Sequence, residues 1–140
     1  MEQIINVVKN NPYHLIGNST TKDDIANRLI LLQALEYAPP PLEYLQFLIQ
    51  VNGIHSFDAN LYGCYDFSDD IFTDFLDKNL LLDRTDKRGI MLLGENTMDY
   101  LVYNNKDKSY ETRDKQTDEI TFTFDNLKDA LSYFFDLEEE

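Results

Sequence analysis

Carboxylates crowd into one stretch of this 140-residue chain: Asp58, Asp66, Asp69, Asp70, Asp74 and Asp77, interleaved with Tyr62 and Tyr65. Three kinds of chemistry use such residues: metal binding, hydrolysis, and capture of a cationic partner. Asp58, Asn60, Gly63, Asp66 and Asp69 stand at positions 1, 3, 6, 9 and 12 of a calcium loop. Tyr62, however, takes position 5, where an oxygen ligand is required, and Asp69 is shorter than the usual bidentate Glu. On a helix, Asp70, Asp74 and Asp77 make one row of like charges, which belongs in water. The spacing predicts a solvated acidic face, with no metal and no cofactor.

Hydrolytic groups are sparse. His14 and His55 are the only histidines, and no Gly-x-Ser-x-Gly elbow is present. His55, Ser56 and Asp58 name the residue types of a triad, but neighbouring side chains on an extended segment point to opposite faces and do not converge. The single Cys64 cannot form an internal disulfide and lies among acids, whereas a reactive thiol needs a basic neighbourhood, so it reads as a small core residue. Gly94-Glu95-Asn96-Thr97 follows a strand pattern as a phosphate loop does, yet lacks the glycine pattern and the lysine. No catalytic residue is assigned. Asp58, Tyr62, Tyr65, Asp66, Asp69, Asp70, Asp74 and Asp77 are the candidate contact residues for a protein partner, beside the plainer readings of a solvated face for the acids and sheet-face packing for the tyrosines, whose rings are buried while the hydroxyl stays wet.

Net charge supports that choice. The chain carries −14, with −6 in residues 58–86 and −7 in residues 114–140. Like charge disfavours direct contact with nucleic acid or an anionic membrane, and it draws in a basic protein. No apolar run approaches the roughly 20 residues that span a bilayer. Met1-Glu2-Gln3-Ile4-Ile5 shows no basic region ahead of an apolar one, so a cytoplasmic protein without a signal peptide is expected.

The elements that must position these residues are punctuated clearly. Ile4, Ile5, Val7 and Val8 make a short apolar start broken by Asn10-Asn11-Pro12, and Gly17-Asn18 reads as a turn. Thr21-Lys22-Asp23-Asp24 has the form of a capping box, and Ile25, Leu29, Leu32 and Leu35 follow at helical spacing, predicting a helix over about 22–37. Pro41 suits a first helical position, Leu42, Leu45, Leu48 and Ile49 form an apolar stripe behind it, and Asn52-Gly53 supplies a stop. Extended chain and turn follow, then a third helix capped by Asp66 or Ser68, with Ile71, Phe72, Phe75 and Leu76 inward and Asp69, Asp70, Asp74 and Asp77 toward water. Leu80-Leu81-Leu82 fits either a buried extended piece or a helix end.

From Ile90 the period changes to that of strands: Ile90–Glu95, Tyr100–Tyr103, Ser109–Arg113 and Ile120–Phe124, the last with Ile120, Phe122 and Phe124 inward. Asp125-Asn126 caps a closing helix bearing Leu127, Leu131 and Phe134, ahead of a solvated Glu138-Glu139-Glu140 tail. The expected architecture is a single α+β domain over 1–140, an antiparallel sheet of four or more strands covered by N-terminal and C-terminal helices.

This arrangement resembles the SUKH superfamily (Smi/Knr-like), which includes a yeast cell-wall-synthesis regulator and many bacterial immunity proteins. The resemblance rests on Pro40, Pro41, Tyr44, Phe47, Leu48, Asn52 and Gly53, on Leu61-Tyr62-Gly63, on the strand Ile90 to Glu95, and on the terminal helix from Phe124 to Phe135. It spans roughly residues 20–137 by order of elements; Ala38 stands where leucine is usual and Ile54 where a second glycine is often found. The resemblance implies a non-enzymatic protein that binds and neutralises a cognate toxin, frequently a basic nuclease. Its alternative implication is a regulatory scaffold module.

Overall fold

The computed structural model describes residues 1–68, 71–81 and 89–137. Its elements run α1 (Glu2–Asn10), β1 (Leu15–Gly17), α2 (Lys22–Ala34), α3 (Leu42–Gln50), β2 (Asn52–His55), β3 (Ala59–Leu61), α4 (Phe75–Leu81), β4 (Ile90–Asn96), β5 (Asp99–Asn104), β6 (Ser109–Asp114), β7 (Ile120–Phe124) and α5 (Leu127–Phe134). The strands form one seven-stranded antiparallel sheet whose spatial order is the chain order. Helices α2 and α3 are inserted between β1 and β2, and α4 between β3 and β4. This is the expected α+β class. One hydrophobic cluster gathers Ile4 and Val8 of α1, Ile25 and Leu32 of α2, Tyr44, Phe47 and Leu48 of α3, Phe75 of α4, Met91 and Leu93 of β4, and Leu127 and Leu131 of α5.

Local chemistry explains most element ends. Thr21 accepts a hydrogen bond from the Asp24 N–H at 3.2 Å, which satisfies one of the otherwise unpaired donors at the start of α2. That helix stops at Ala34, short of the expected 37, because Glu36 takes a left-handed φ of 65°. The Glu36 and Tyr37 N–H groups then donate back to the Gln33 and Leu32 carbonyls at 3.1 and 2.9 Å. In α3, Pro41 is the cap and Leu42 the first helical residue. The stripe expected there is corrected: Tyr44, Leu45, Phe47 and Leu48 are buried, while Leu42, far around the helix from Tyr44 at 100° per residue, is exposed.

Gly53 has the left-handed backbone expected of it, with φ 82°, but it sits within β2 and does not cap α3. Val51 ends the helix in an extended conformation. A side chain at Gly53 would meet the Tyr65 hydroxyl, and so would one at Gly17 or Gly63. The three glycines line the slot through which that hydroxyl reaches the Asn52 carbonyl, to which it donates.

The third helix departs furthest from expectation. It begins at Phe75, and Asp74, not Asp66 or Ser68, supplies its cap by accepting from the Leu76 and Asp77 N–H groups at 2.8 and 3.3 Å. Asp74 is only 2% exposed, so its expected place on a water-facing row is wrong. A buried carboxylate needs compensating charge, and Arg28 of α2 provides it, Nε to Oδ2 at 2.8 Å. Leu80 and Leu81 prove to be the exposed end of α4, and Leu82 lies outside the described residues.

Strand β3 ends opposite Gly94, leaving Leu92 without a strand partner on that side. Asn79 of α4, fully buried, fills the gap: its amide accepts from the Leu92 N–H at 2.9 Å and donates to the Leu92 and Phe75 carbonyls at 3.0 and 2.7 Å. At the far edge, β7 is less covered than its alternation suggests. Ile120 and Phe122 are half-exposed, although the Tyr133 ring of α5 lies 4.6 Å from Phe122 and 5.4 Å from Phe124.

The buried pair between α2 and α4 is testable. Asp74→Ala leaves Arg28 unmatched, and Arg28→Ala leaves Asp74 unmatched; each is expected to cost about 3–5 kcal/mol of unfolding free energy. Urea denaturation of both variants and of the double variant checks this. The double variant should fall well short of additive, and simple additivity would show that the two groups do not depend on each other.

Candidate functional site

The structure disperses the acidic contact residues. Asp58 is exposed on the turn between β2 and β3, beside Phe57, which is 98% exposed. Asp66 is exposed on the loop after β3, beside Phe67, which is 88% exposed. Tyr62 is buried, its hydroxyl donating to Glu95. Tyr65 is partly buried; besides its bond to Asn52, its N–H donates to Asp74 at 2.8 Å and its carbonyl accepts from Arg28. Asp77 is half-buried and accepts from the Ser68 hydroxyl at 2.8 Å. Asp69 and Asp70 lie outside the described residues. As contact residues, Tyr62 and Asp74 are therefore corrected: one is a buried strut and the other a buried cap, and neither faces a partner. Asp58 and Asp66 are open to one, at opposite ends of β3. Among the described residues, no three His, Cys, Asp or Glu side chains gather as a metal-holding group.

What the sheet does bring together is a row of polar residues that the sequence reading did not assemble. Antiparallel register sets His55 opposite Asn60, Asn60 opposite Glu95, Glu95 opposite Tyr100, and Tyr100 opposite Arg113. Directly opposed residues share a face, so these five cross β2 to β6 in one line. His55 Nδ1 lies 2.6 Å from Asn60 Oδ1. Glu95 is the centre of the row: besides the Tyr62 hydroxyl it holds Lys78 Nζ at 2.8 Å and Lys115 Nζ at 3.1 Å. Lys115 also lies 5.0 Å from the Tyr100 ring centre, and Lys78 lies 5.9 Å from that of Tyr62, both in cation–π range. Arg113 pairs with the buried Glu111 at 2.9 Å and with Asp118 at 3.5 Å. A shallow cavity of about 250 Å³ lies beside the row, lined by His55, Asp58, Asn60, Glu95, Thr97 and Lys115 among others.

The electrostatics are those of a locked network. Burial would raise the Glu95 carboxyl, but hydrogen bonds from Lys78, Tyr62 and Lys115 outweigh it and hold the group below the ordinary carboxylate range. Burial, and then the bond to ionised Glu95, push the Tyr62 phenol far up. A carboxylate kept ionised beside a phenol kept protonated has no proton to exchange near neutral pH. Cys64 is buried, and that burial raises its thiol away from the reactive form. The one sequence signal pointing to the row was Gly94-Glu95, where a hydrophobic strand ends in a carboxylate; its partners are set by pairing across four other strands.

No family model, no curated protein and no solved structure matches the chain. Among the described residues, no helix is long and apolar enough to cross a membrane.

Glu95 gives a pH prediction. Its folded-state pKa is depressed, so its contribution to stability is complete above the unfolded value of about 4.3 and is lost as pH falls through the folded value. Thermal melts between about pH 6 and pH 3 should show wild type losing more stability than Glu95→Gln, with the two curves converging at the acid end. Parallel curves would remove Glu95 from the account.

Proposed function

We propose that the chain is a non-enzymatic, cytoplasmic immunity protein of the SUKH type that binds and neutralises a cognate basic toxin domain, such as a nuclease, through its acidic surface. The observation that carries this reading is where the charges end up. Arg28, Lys78, Arg113 and Lys115 are drawn onto Asp74, Glu95 and Glu111, within or beside the body of the protein. Asp23, Asp58, Asp66, Asp107, Glu119, Asp125, Asp129 and Asp136 stand exposed and, among the described residues, outnumber the exposed cations Lys9, Lys22, Lys106 and Lys108. The negative field thus faces outward, where it steers a cationic protein and opposes phosphate. Phe57 beside Asp58 and Phe67 beside Asp66 add what steering alone lacks, a large apolar anchor next to a charge that can pair with Lys or Arg.

The test is a growth-rescue and calorimetric assay against the toxin domain encoded beside this gene. Wild type should bind, more weakly as salt rises. Asp58→Lys with Asp66→Lys should slow association by about tenfold at low salt. Phe57→Ser or Phe67→Ser should cost about 1–2 kcal/mol of binding at whichever loop is the anchor. No complex at low salt, together with no rescue of growth, would refute the proposal.

A further inference from the structure

Another cavity, of about 320 Å³, opens between the loop after β3 and the start of α2, lined by Thr20, Asp24, Tyr65, Asp66, Phe67 and Phe72 among others. Its carboxylates are not matched. In a capping box the acid three residues after the cap turns back to the cap N–H. Asp24 gives its own N–H to Thr21, but among the described residues its carboxylate has no hydrogen-bond or ion-pair partner. Asp66, with its side chain 87% exposed, has only Arg28, at 4.0 Å, and Arg28 is already held by the buried Asp74 at 2.8 Å. Among the described residues no lysine or arginine lines the cavity. The Tyr65 and Phe72 rings lie 5.5 Å apart and inclined at 47°, so they form a corner and do not stack. Thr20 is 9% exposed; its hydroxyl finds no oxygen or nitrogen partner and lies beside the Cys64 thiol. Buried hydroxyls are ordinarily satisfied, and an unsatisfied one marks a place for a further group.

These features select one chemistry. Two unmatched carboxylates attract a cation, aromatic rings attract it through their quadrupole, and a hydroxyl oxygen accepts a hydrogen bond from its N–H. An anion is opposed by both acids, and an uncharged apolar group leaves both acids without a partner. The cavity beside Glu95 suits a cation less, because Lys115 lines it and Glu95 already holds Lys115 and Lys78. We propose that the cavity between α2 and the Asp66 loop seats a lysine or arginine side chain of a basic protein partner, its charged head facing Asp24 and Asp66 and its alkyl stem lying along Phe67. This seat rests on the reading above of the chain as the antidote to a basic toxin, and it makes Asp66-Phe67, not Phe57-Asp58, the anchoring pair.

Side-chain mimics test the seat without the toxin. n-Butylammonium and n-propylguanidinium chloride carry the lysine and arginine head groups, and n-butanol is the uncharged control. Titrated into the isotope-labelled full chain, the cations should give saturable NMR shifts of the Thr20, Asp24, Cys64 and Tyr65 amides, and n-butanol should give none that saturate. Asp24→Asn and Asp66→Asn should each weaken binding about two- to fivefold, and Phe72→Leu should do so by about the same factor. Asp66 is exposed on a loop, so Asp66→Asn should leave circular dichroism and melting temperature as in wild type. Shifts that do not saturate, an equal response to n-butanol, or affinities indifferent to all three substitutions overturn the proposal. The toxin-domain assay separates the two readings. A toxin domain bound equally by wild type and by all three variants overturns the seat and leaves the immunity reading standing, whereas saturable binding of the cations with no toxin complex upholds the cation site and removes the toxin.

Discussion

A single buried carboxylate ties together α2, the loop that leaves β3 and the start of α4. Asp74 accepts from the side chain of α2, from the backbone of the loop that leaves β3, and from the first turn of α4, while its own N–H donates to Ser68 at 3.0 Å. Arg28 completes the junction from the other side through the carbonyls of Asp24 and Tyr65. Each bond is modest alone, yet removing either partner strands a charge in a place that water does not reach, which is far costlier than the loss of one contact. That asymmetry is why the orientation of α2 and the start of α4 are fixed together.

Two further carboxylates repeat the device. Glu43 on α3 accepts from the Tyr110 hydroxyl at 3.0 Å and from the Leu127 N–H at 2.6 Å, tying the first turn of α5 to the sheet through a residue 84 positions away in the chain. Glu95 gathers α4, the Tyr62 segment and the end of β6. In all three cases an acid ties separate elements together, buried at Asp74, half-buried at Glu95 and exposed at Glu43. The cations of the body are committed to these ties and to Glu111, and the acids left over define the outer field. Structure and electrostatics are thus coupled, since the same pairings that hold the elements leave the exterior acidic.

That exterior is not uniform. Exposed aromatics accompany acids at Phe57-Asp58 and Asp66-Phe67, whereas Ile30, Leu31 and Leu35 are exposed apolar side chains at α2.

Much of the architecture follows from local signals alone. Thr21 with Asp24, Asn126 with Asp129, the strand alternation from Ile90 to Phe124 and the polar turn at Asn104 to Lys108 are short-range chemistry, and the elements they predict are present. Net charge is likewise readable without coordinates. Other features were invisible for a common reason. Whether Asp74 meets water or Arg28 depends on a partner 46 residues away, and no periodicity reports it. Leu42, Ile120 and Phe122 look like core by pattern but are exposed by half or more of their surface. The line from His55 to Arg113 exists only because five strands pair in this register, and register is a property of the assembled sheet. The sequence by itself thus determined the class, most of the element boundaries from Ile90 onward and the sign of the charge; tertiary structure alone decided which acids are buried ties and which stay exposed, because burial of a charge is settled by what lies opposite it.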